Sequence, residues 1–228
     1  MKLLKYFDKL NKEKNVIIYG RHSAIEALKN KNRKIKRVLL ADNYKDLERL
    51  ILDILKNIKY KIIIEKVDKK KIEAFLGKNI KHQGIVVISS KVPIVSYKKI
   101  FDYKSFRYGV LLDRLTDPNN VGAIYRSAYS FDIDFIVNLD KGALVESGAL
   151  LNSSCGCYEK INTYITKNLV ASIKEFKKNN WWIVGTDEKA ELSINKFLRT
   201  QNKNDKTLII LGSEGDGIKR LTKKNCDF

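Results

Sequence analysis

The segment from Asp117 to Ala128, DPNNVGAIYRSA, holds residue types that could position a sugar or a phosphate. It lies between the carboxyl end of a predicted strand and the start of a predicted helix, which is where open α/β sheets bind their ligands. Asn119 or Asn120 can cap the helix, and Arg126 follows Gly122 by one helical turn, so that both project from the same face. Taken alone, the spacing of the segment favours the simpler interpretation, which is a capped helix with one surface arginine.

A second segment, Leu208 to Gly217 with the letters LIILGSEGDG, places three glycines directly after a predicted buried strand. Glycines let backbone groups approach a ligand closely. The order G-x-x-G-x-G differs from the dinucleotide fingerprint G-x-G-x-x-G, and the lysine and Ser/Thr pair of a P-loop is absent. The spacing therefore disfavours a nicotinamide or ATP site, while a glycine-bearing turn without a ligand stays an open alternative.

The elements that must position these segments alternate between strands and helices along the chain. Strands are predicted at 38–40, 60–64, 84–89, 109–115, 133–137, 181–185 and 207–211, and helices at 24–29, 44–58, 69–76, 121–131 and 170–179. This order predicts an α/β fold with a small first domain and, in the second half, a mainly parallel sheet covered by helices. We predict a basic arm at 1–15, an α/β domain at 16–90, a linker at 91–106 and a second α/β domain at 107–228.

The charge of the chain points to a polyanionic partner. Lys and Arg number 45 against 26 Asp and Glu, which gives a formal net charge of +19. Such an excess attracts nucleic acid, although the lysines could equally reflect the codon usage of an AT-rich genome. No apolar stretch is long enough to span a membrane. The opening residues contain Asp8 and Glu13 and lack the pattern of a signal peptide, so we expect a cytoplasmic protein.

The cysteines and histidines do not predict a metal centre. Cys155, Cys157 and Cys226 form no CxxC pair, and His22 and His82 are the only histidines that could join them. Neither a zinc site nor a disulfide framework is therefore expected.

Taken together, DPNNVGAIYRSA and LGSEGDGI resemble motifs one and two of the SpoU/TrmH RNA 2′-O-ribose methyltransferases of the SPOUT superfamily. IYGRHSAIEAL near the amino end and HQGIVV at 82–87 resemble the substrate-binding domain of the RNA-recognising members. The resemblance covers most of the chain, and the subgroup it resembles most is the RlmB-type enzymes that methylate a guanosine ribose of 23S rRNA. A tRNA 2′-O-methyltransferase is the alternative within the family.

This resemblance implies a deep trefoil knot that binds S-adenosylmethionine, a homodimer, and RNA, most of all rRNA, as the partner. The implied site residues fall into three groups. The catalytic residues are Asn120, Arg126 and Glu214; the cofactor contacts are Leu211, Gly212, Ser213, Gly215 and Gly217; the RNA contacts are Arg21, His22, His82 and Gln83. For His82, a buried and hydrogen-bonded histidine is the alternative interpretation.

The sequence departs from the family pattern after motif two. It continues from Ile218 to Phe228, where the family has a further strand and then motif three, which supplies a Ser/Asn loop and the final helix of the knot. We therefore predict a C-terminally truncated catalytic domain in which the knot and half of the adenosine pocket are incomplete. A non-catalytic RNA-binding protein or fragment that has lost cofactor binding is the alternative function, and an RNA binder without methyltransferase ancestry would leave the two motifs unexplained.

The chemistry expected of the family is an in-line transfer of a methyl group from a sulfonium to a ribose oxygen. A guanidinium has a pKa above about 12 and is a poor proton acceptor. Our hypothesis is that Arg126 holds the RNA phosphate and stabilises developing alkoxide charge, that Asn120 orients Arg126 or the ribose, and that Glu214 orients the arginine pair or the substrate.

Overall fold

The computed structural model describes residues 15–56, 58, 60–140, 146–202 and 204–228. The predicted basic arm, apart from Asn15, lies outside the described residues. The strands are β1 (Asn15–Tyr19), β2 (Ile35–Ala41), β3 (Ile63–Val67), β4 (Ile85–Ser90), β5 (Tyr108–Asp113), β6 (Phe135–Leu139), β7 (Asn162–Thr166), β8 (Trp181–Gly185) and β9 (Lys206–Gly212). The α-helices are α1 (Arg21–Lys29), α2 (Lys45–Leu55), α3 (Lys69–Leu76), α4 (Pro118–Ser130), α5 (Gly148–Ser153), α6 (Leu169–Lys178), α7 (Ile194–Arg199) and α8 (Arg220–Lys223), with short 3-10 helices at Tyr97–Asp102 and Cys157–Glu159.

The chain forms two compact units. The first contains Met1–Pro93 and Val145–Lys160, and the second contains Ile94–Leu144 and Ile161–Phe228. The chain therefore leaves the second unit after β6, contributes a segment to the first unit, and returns at β7. The linear division predicted from the sequence contains no such exchange, and its boundaries stay a prediction.

The first unit is a four-stranded mixed sheet with helices on both faces. Its strand order is β1-β4-β2-β3, in which β4 runs antiparallel to both neighbours and β2 pairs in parallel with β3. Successive side chains of a strand point to opposite faces. Accordingly, Ile85 and Val87 of β4 pack in the core with α1 and α2, while Val86 and Ile88 pack in the core with α3. Burial of both faces explains why β4 reads as a continuous apolar run.

Apolar packing and a group of buried charges hold the inserted segment in the first unit. Leu151 of α5 lies in the core with α1. Arg33 lies between two carboxylates, with Nη1 2.7 Å from Oε1 of Glu146 and Nη2 2.7 Å from Oε1 of Glu159, and its side chain is fully buried. The backbone N–H of Val92 donates a further bond of 3.0 Å to Glu146. Burial is the largest effect on Glu146 and raises its pKa, although Arg33 opposes the shift.

The second unit is a five-stranded sheet in which every neighbouring pair is parallel, in the order β7-β6-β5-β9-β8. Its core centres on Phe135, which packs against Phe176 and Trp181 at ring-centroid distances of 6.0 and 5.4 Å. Gly109 on the neighbouring strand makes room for this ring, because a Cβ there would lie 2.2 Å from the tip of Phe135. The parallel sheet covered by helices confirms the predicted α/β fold class.

Candidate active site

The two motif segments begin on adjacent strands of the second unit. Strands β5 and β9 pair in parallel, with Asp113 in register with Gly212 at their last positions. Because parallel strands end at the same edge of a sheet, the loops that follow them start side by side. This edge is the position at which open α/β sheets bind ligands.

The first loop leads directly into α4. The side chain of Asp117 caps the helix by accepting the backbone N–H of Asn119 at 3.0 Å, and Pro118 occupies the first turn, where a missing N–H costs nothing. The cap places Asn120 in the first helical turn and the exposed Arg126 further along the same helix. The helix is anchored on its inner face by Tyr125, which is fully buried and lies 3.0 Å from the hydroxyl of Thr163.

The second loop is a tight turn that requires glycine at two positions. Ser213 and Gly217 face each other across the turn, where the N–H of Gly217 donates to the carbonyl of Ser213 at 2.9 Å. A Cβ on Gly212 would lie 2.1 Å from the carbonyl carbon of Gly217, so no side chain fits there. Gly217 itself adopts φ +62°, a left-handed conformation that favours glycine. Gly215, by contrast, faces open space.

The structure brings the two loops into direct contact. The side-chain amide of Asn120 donates a hydrogen bond to Oε1 of Glu214, which joins the first turn of α4 to the glycine loop after β9. Of the three predicted catalytic residues, Asn120 and Glu214 therefore meet. Arg126 lies on the exposed surface of the same helix. The catalytic roles of all three stay predictions.

A cavity of about 610 Å³ opens beside these loops, at the carboxyl end of β8. It is bounded by the loop after β8, by Ile218 and by the last residues of the chain. The lining includes Gly185, Thr186, Asp187, Leu192, Ile194, Phe197, Ile218, Cys226, Asp227 and Phe228. None of the five predicted cofactor residues is part of this lining, although Ile218 directly follows Gly217. Their role as cofactor contacts stays a prediction.

The residues after β8 were missed by sequence reasoning, although one signal could have found them. Thr186 and Asp187 directly follow the predicted strand at 181–185, so the rule that singled out the other two loops applies equally to this one. Thr186 donates to the carbonyl of Ile210 at 3.0 Å, which fastens the loop to β9. Asp187 pairs with Lys223 at 2.6 Å, and this hydrogen bond lowers the pKa of the Asp187 carboxyl.

The end of the chain runs beside β8 and forms one wall of the cavity. The N–H of Asp227 donates to the carbonyl of Ile183 at 2.8 Å, and the N–H of Gly185 donates to the carbonyl of Phe228 at 2.9 Å. Cys226, on the same wall, is half-buried, and burial raises the pKa of its thiol to about 11. The thiol is therefore protonated at neutral pH and belongs to the apolar part of the lining.

The predicted RNA contacts lie in the first unit and differ in exposure. Arg21 and His22 are exposed at the start of α1, and the backbone N–H of Arg21 donates to Oε1 of the exposed Gln83 at 2.8 Å. His82 is 3% exposed, and its Nδ1 accepts the N–H of Gly84 at 3.2 Å. Burial lowers its pKa, so the imidazole is neutral at pH 7. The structure thus shows the buried, hydrogen-bonded histidine of the alternative interpretation. The RNA contacts at Arg21, His22, His82 and Gln83 stay predictions.

Two further features of the described part of the chain bear on its partners. None of its helices combines the length and the apolar content needed to cross a bilayer. Within the same residues, His, Cys, Asp and Glu side chains do not gather in any group of three or more suited to a metal ion.

Comparison with known proteins decides the family. Residues 107–228 match the model of the SpoU rRNA Methylase family, and residues 17–94 match that of the RNA 2′-O ribose methyltransferase substrate binding domain. The chain belongs to the SpoU family. This assignment confirms the predicted SpoU/TrmH RNA methyltransferase, and the more specific likeness to the 23S rRNA guanosine enzymes stays a prediction.

Relatives of this SpoU family member match along most of its length. A TrmH family tRNA/rRNA methyltransferase of Staphylococcus epidermidis is 30% identical over 219 residues, which is 94% of this chain and 84% of the relative. The TrmH family tRNA/rRNA methyltransferase YacO of Bacillus subtilis is 30% identical over 92% of this chain and 83% of its own length.

Solved structures show that the fold is shared more widely than the sequence. The SpoU methyltransferase AviRb of Streptomyces viridochromogenes, in complex with the cofactor AdoMet, superimposes with a TM-score of 0.76 at 19% identity, over 97% of this chain and 82% of that one. An AdoMet-bound rRNA methyltransferase of Sinorhizobium meliloti gives a TM-score of 0.74 at 19% identity, over 95% and 77%. At this level of identity the likeness concerns the fold.

Proposed function

We propose that this SpoU family member transfers a methyl group from S-adenosylmethionine to the 2′-hydroxyl of a ribose in RNA, with a guanosine of 23S rRNA as the target. The observation that carries the proposal is the hydrogen bond between Asn120 and Glu214, which unites the two motif loops at the carboxyl edge of the sheet, while the cavity lies at the carboxyl end of the next strand, β8. The match of residues 17–94 to a substrate-binding domain of 2′-O ribose methyltransferases supports RNA ribose as the acceptor. The presence of such a separate domain favours rRNA over tRNA.

S-adenosylmethionine is the methyl donor of this family, and the cavity fits it in size and chemistry. A volume of about 610 Å³ lies within the range of small-molecule sites. Leu192, Ile194 and Phe197 offer apolar surface for a purine, while Thr186 and Asp187 offer polar groups at the rim. When bound, the cofactor supplies a methyl group on a positively charged sulfur. The glycine loop would lie at the edge of this site, because Ile218 directly continues it into the cavity wall.

The chain's own residues position the acceptor. Asn120 donates its amide N–H to Glu214, so its side-chain carbonyl is turned to serve as an acceptor for a ribose hydroxyl. A guanidinium offers parallel N–H donors that match the oxygens of a phosphate, so we assign Arg126 to holding a backbone phosphate and stabilising charge on the attacking oxygen. Glu214 fixes the Asn120 amide and thereby the direction of that carbonyl. Positioning and charge stabilisation of this kind supply most of the rate in such a displacement.

The first experiment is titration calorimetry of the purified chain with S-adenosylmethionine, with S-adenosylhomocysteine as the product control. Micromolar binding is expected. Absence of binding would contradict the proposal and favour the alternative, a non-catalytic RNA-binding protein.

The second experiment offers 23S rRNA domains and tRNA transcripts together with a methyl-labelled cofactor. Label is expected in 23S rRNA, on a ribose that then resists alkaline hydrolysis at its 3′ side, since a methylated 2′-oxygen cannot attack the neighbouring phosphate. Label in tRNA alone would overturn the rRNA target but keep the reaction, and label on a base would overturn the reaction. A homodimer is expected by family resemblance, and sedimentation velocity tests it.

A further inference from the structure

The last residue of β5 is a buried carboxylate to which the chemistry above assigns no role. Asp113 is 0% exposed. Its Oδ2 accepts the backbone N–H of Lys219 at 2.9 Å, and its Oδ1 accepts Nε of Arg114 at 3.1 Å. A buried carboxylate is costly unless it is paired and hydrogen-bonded, so these two contacts account for how it is tolerated.

Both ends of the glycine loop lie beside Asp113, one next to its backbone and the other at its carboxylate. Gly212, where the loop starts, is the register partner of Asp113, and Lys219, where the loop ends, donates to it. Glu214 lies between these two points and reaches Asn120. The position of Glu214 therefore depends on a loop whose two ends are fastened to a single residue.

The neighbouring arginine adds a second attachment under strain. Arg114 adopts φ +61°, a conformation that is unfavourable for any residue with a Cβ. Its Nη1 lies 3.4 Å from Asp216 in the middle of the loop, while its buried Nη2 has no hydrogen-bond partner among the described residues. Backbone strain and an unsatisfied donor at one position are typical of functional sites, where geometry rather than stability is selected.

We infer that Asp113 is a positioning residue for methyl transfer, which fixes the loop from Gly212 to Lys219 so that Glu214 holds Asn120 in its working orientation. The catalytic part of this inference rests on the proposed function. The structural part, that Asp113 orders the loop, is independent of it.

The test is Asp113→Asn. The two donors, Arg114 and Lys219, bond to different oxygens of the carboxylate, whereas an amide has one oxygen and must turn its NH2 group toward one of the donors. Hydrogen exchange at the amides of Gly217 and Lys219 is expected to accelerate at least about tenfold. The kcat for methyl transfer is expected to fall about 10- to 100-fold, with the KM for S-adenosylmethionine changed less than about threefold.

Asp134→Asn is the matched control. Asp134 accepts two backbone N–H groups, of Arg107 and Tyr108 at 2.7 and 2.9 Å, at the opposite end of β5. Both N–H groups donate to Oδ2 of Asp134, so the amide oxygen of Asp134→Asn can still accept them, and the variant removes a carboxylate charge beside the same strand. It is expected neither to accelerate exchange in the loop nor to reduce kcat. An equal loss of kcat in both variants would overturn the inference, as would an unchanged loop in Asp113→Asn.

A double-mutant cycle with Glu214→Ala, which removes the acceptor of the Asn120 amide, separates positioning from general destabilisation. If Asp113 acts through Glu214, then Asp113→Asn changes kcat by less than about twofold in the Glu214→Ala background, whereas the losses in melting temperature still add. Additive losses in kcat would overturn the inference. If the unaltered protein methylates no RNA, the proposed function fails, and the exchange rates of the cofactor-free protein still decide whether Asp113 orders the loop.

Discussion

At the scale of single residues, the difference between Arg126 and a lysine is one of shape. Both side chains are cationic at neutral pH, but only the planar guanidinium can offer two parallel N–H donors to a phosphate. We therefore predict that Arg126→Lys lowers kcat/KM for RNA methylation about 100-fold, and that it leaves the melting temperature unchanged because the side chain is exposed.

Methylation kinetics at saturating cofactor check this prediction. Arg199→Lys serves as the control, because Arg199 is an equally exposed arginine of the same unit that lies outside the candidate site. Near-normal turnover by Arg126→Lys would contradict the bidentate contact between Arg126 and a phosphate.

At the scale of elements, Gly212 at the end of β9 and Gly215 in the loop that follows differ in what surrounds them. Gly212→Ala would force the backbone of Gly217 to move, since the new methyl group would lie 2.1 Å from its carbonyl carbon. We predict a loss of about 3 kcal/mol in the free energy of unfolding of the second unit, together with loss of cofactor binding. Gly215→Ala meets no atom within 4 Å and is predicted to change stability by less than about 0.5 kcal/mol.

Urea denaturation followed by tryptophan fluorescence measures both variants, because Trp181 and Trp182 are the chain's two tryptophans and both lie in the second unit. Equal stabilities of the two alanine variants would show that the loop is looser than its geometry indicates.

The strands and helices also show how much of the fold could be predicted from the sequence. The predicted strand at 181–185 and the predicted helix at 69–76 coincide with β8 and α3, because sustained apolar periodicity marks both. The strand predicted at 60–64 is instead Ile63–Val67, an edge strand with a weak burial pattern, so its register depends on its partner β2. Sequence analysis missed β7, whose sequence NTYIT is mostly polar, and α5, whose six residues span less than two helical turns.

The candidate site, like the fold, could be predicted from the sequence only in part. The strand-end rule placed Asn120 and Glu214 in loops that follow apolar strands. The adjacency of β5 and β9 depends on the strand order of the sheet, which the sequence does not state. The role of Asp113 could not be predicted, since its partner Lys219 is 106 residues away. The burial of His82 depends likewise on how its turn packs, which a local pattern cannot show.

At the scale of the whole molecule, the insertion of 145–160 into the first unit makes stability depend on the buried charges around Arg33. The pKa of Glu146 is raised above its ordinary value of 4.5, so the folded state binds this proton more tightly than the unfolded chain does. Between 4.5 and the raised pKa, the contribution of Glu146 to stability therefore falls as pH rises.

The side chain of Glu146→Gln does not titrate, so this variant lacks the loss of stability that Glu146 causes. We predict that, as pH rises above 4.5, the free energy of unfolding of the unaltered protein falls relative to that of the variant. Urea denaturation followed by circular dichroism at several pH values measures the difference. Asp42→Asn, which removes an exposed carboxylate from the same unit, is the control for the loss of one negative charge. Parallel curves for Glu146→Gln and the unaltered protein would contradict the prediction.

The net charge of +19 makes a separate prediction, because its two explanations differ in how binding responds to salt. If the lysines contact phosphates, each contact releases condensed counterions, and the logarithm of the RNA association constant should fall with the logarithm of salt concentration with a slope of roughly −3 to −6. If codon usage alone explains them, few contacts form and the slope stays near zero.

Arg21→Gln should make the slope shallower by about 0.7 if Arg21 contacts a phosphate, whereas Arg199→Gln should not. Filter binding of a 23S rRNA fragment between low and physiological salt separates the two explanations, and a flat response would remove charge from the case for an RNA partner.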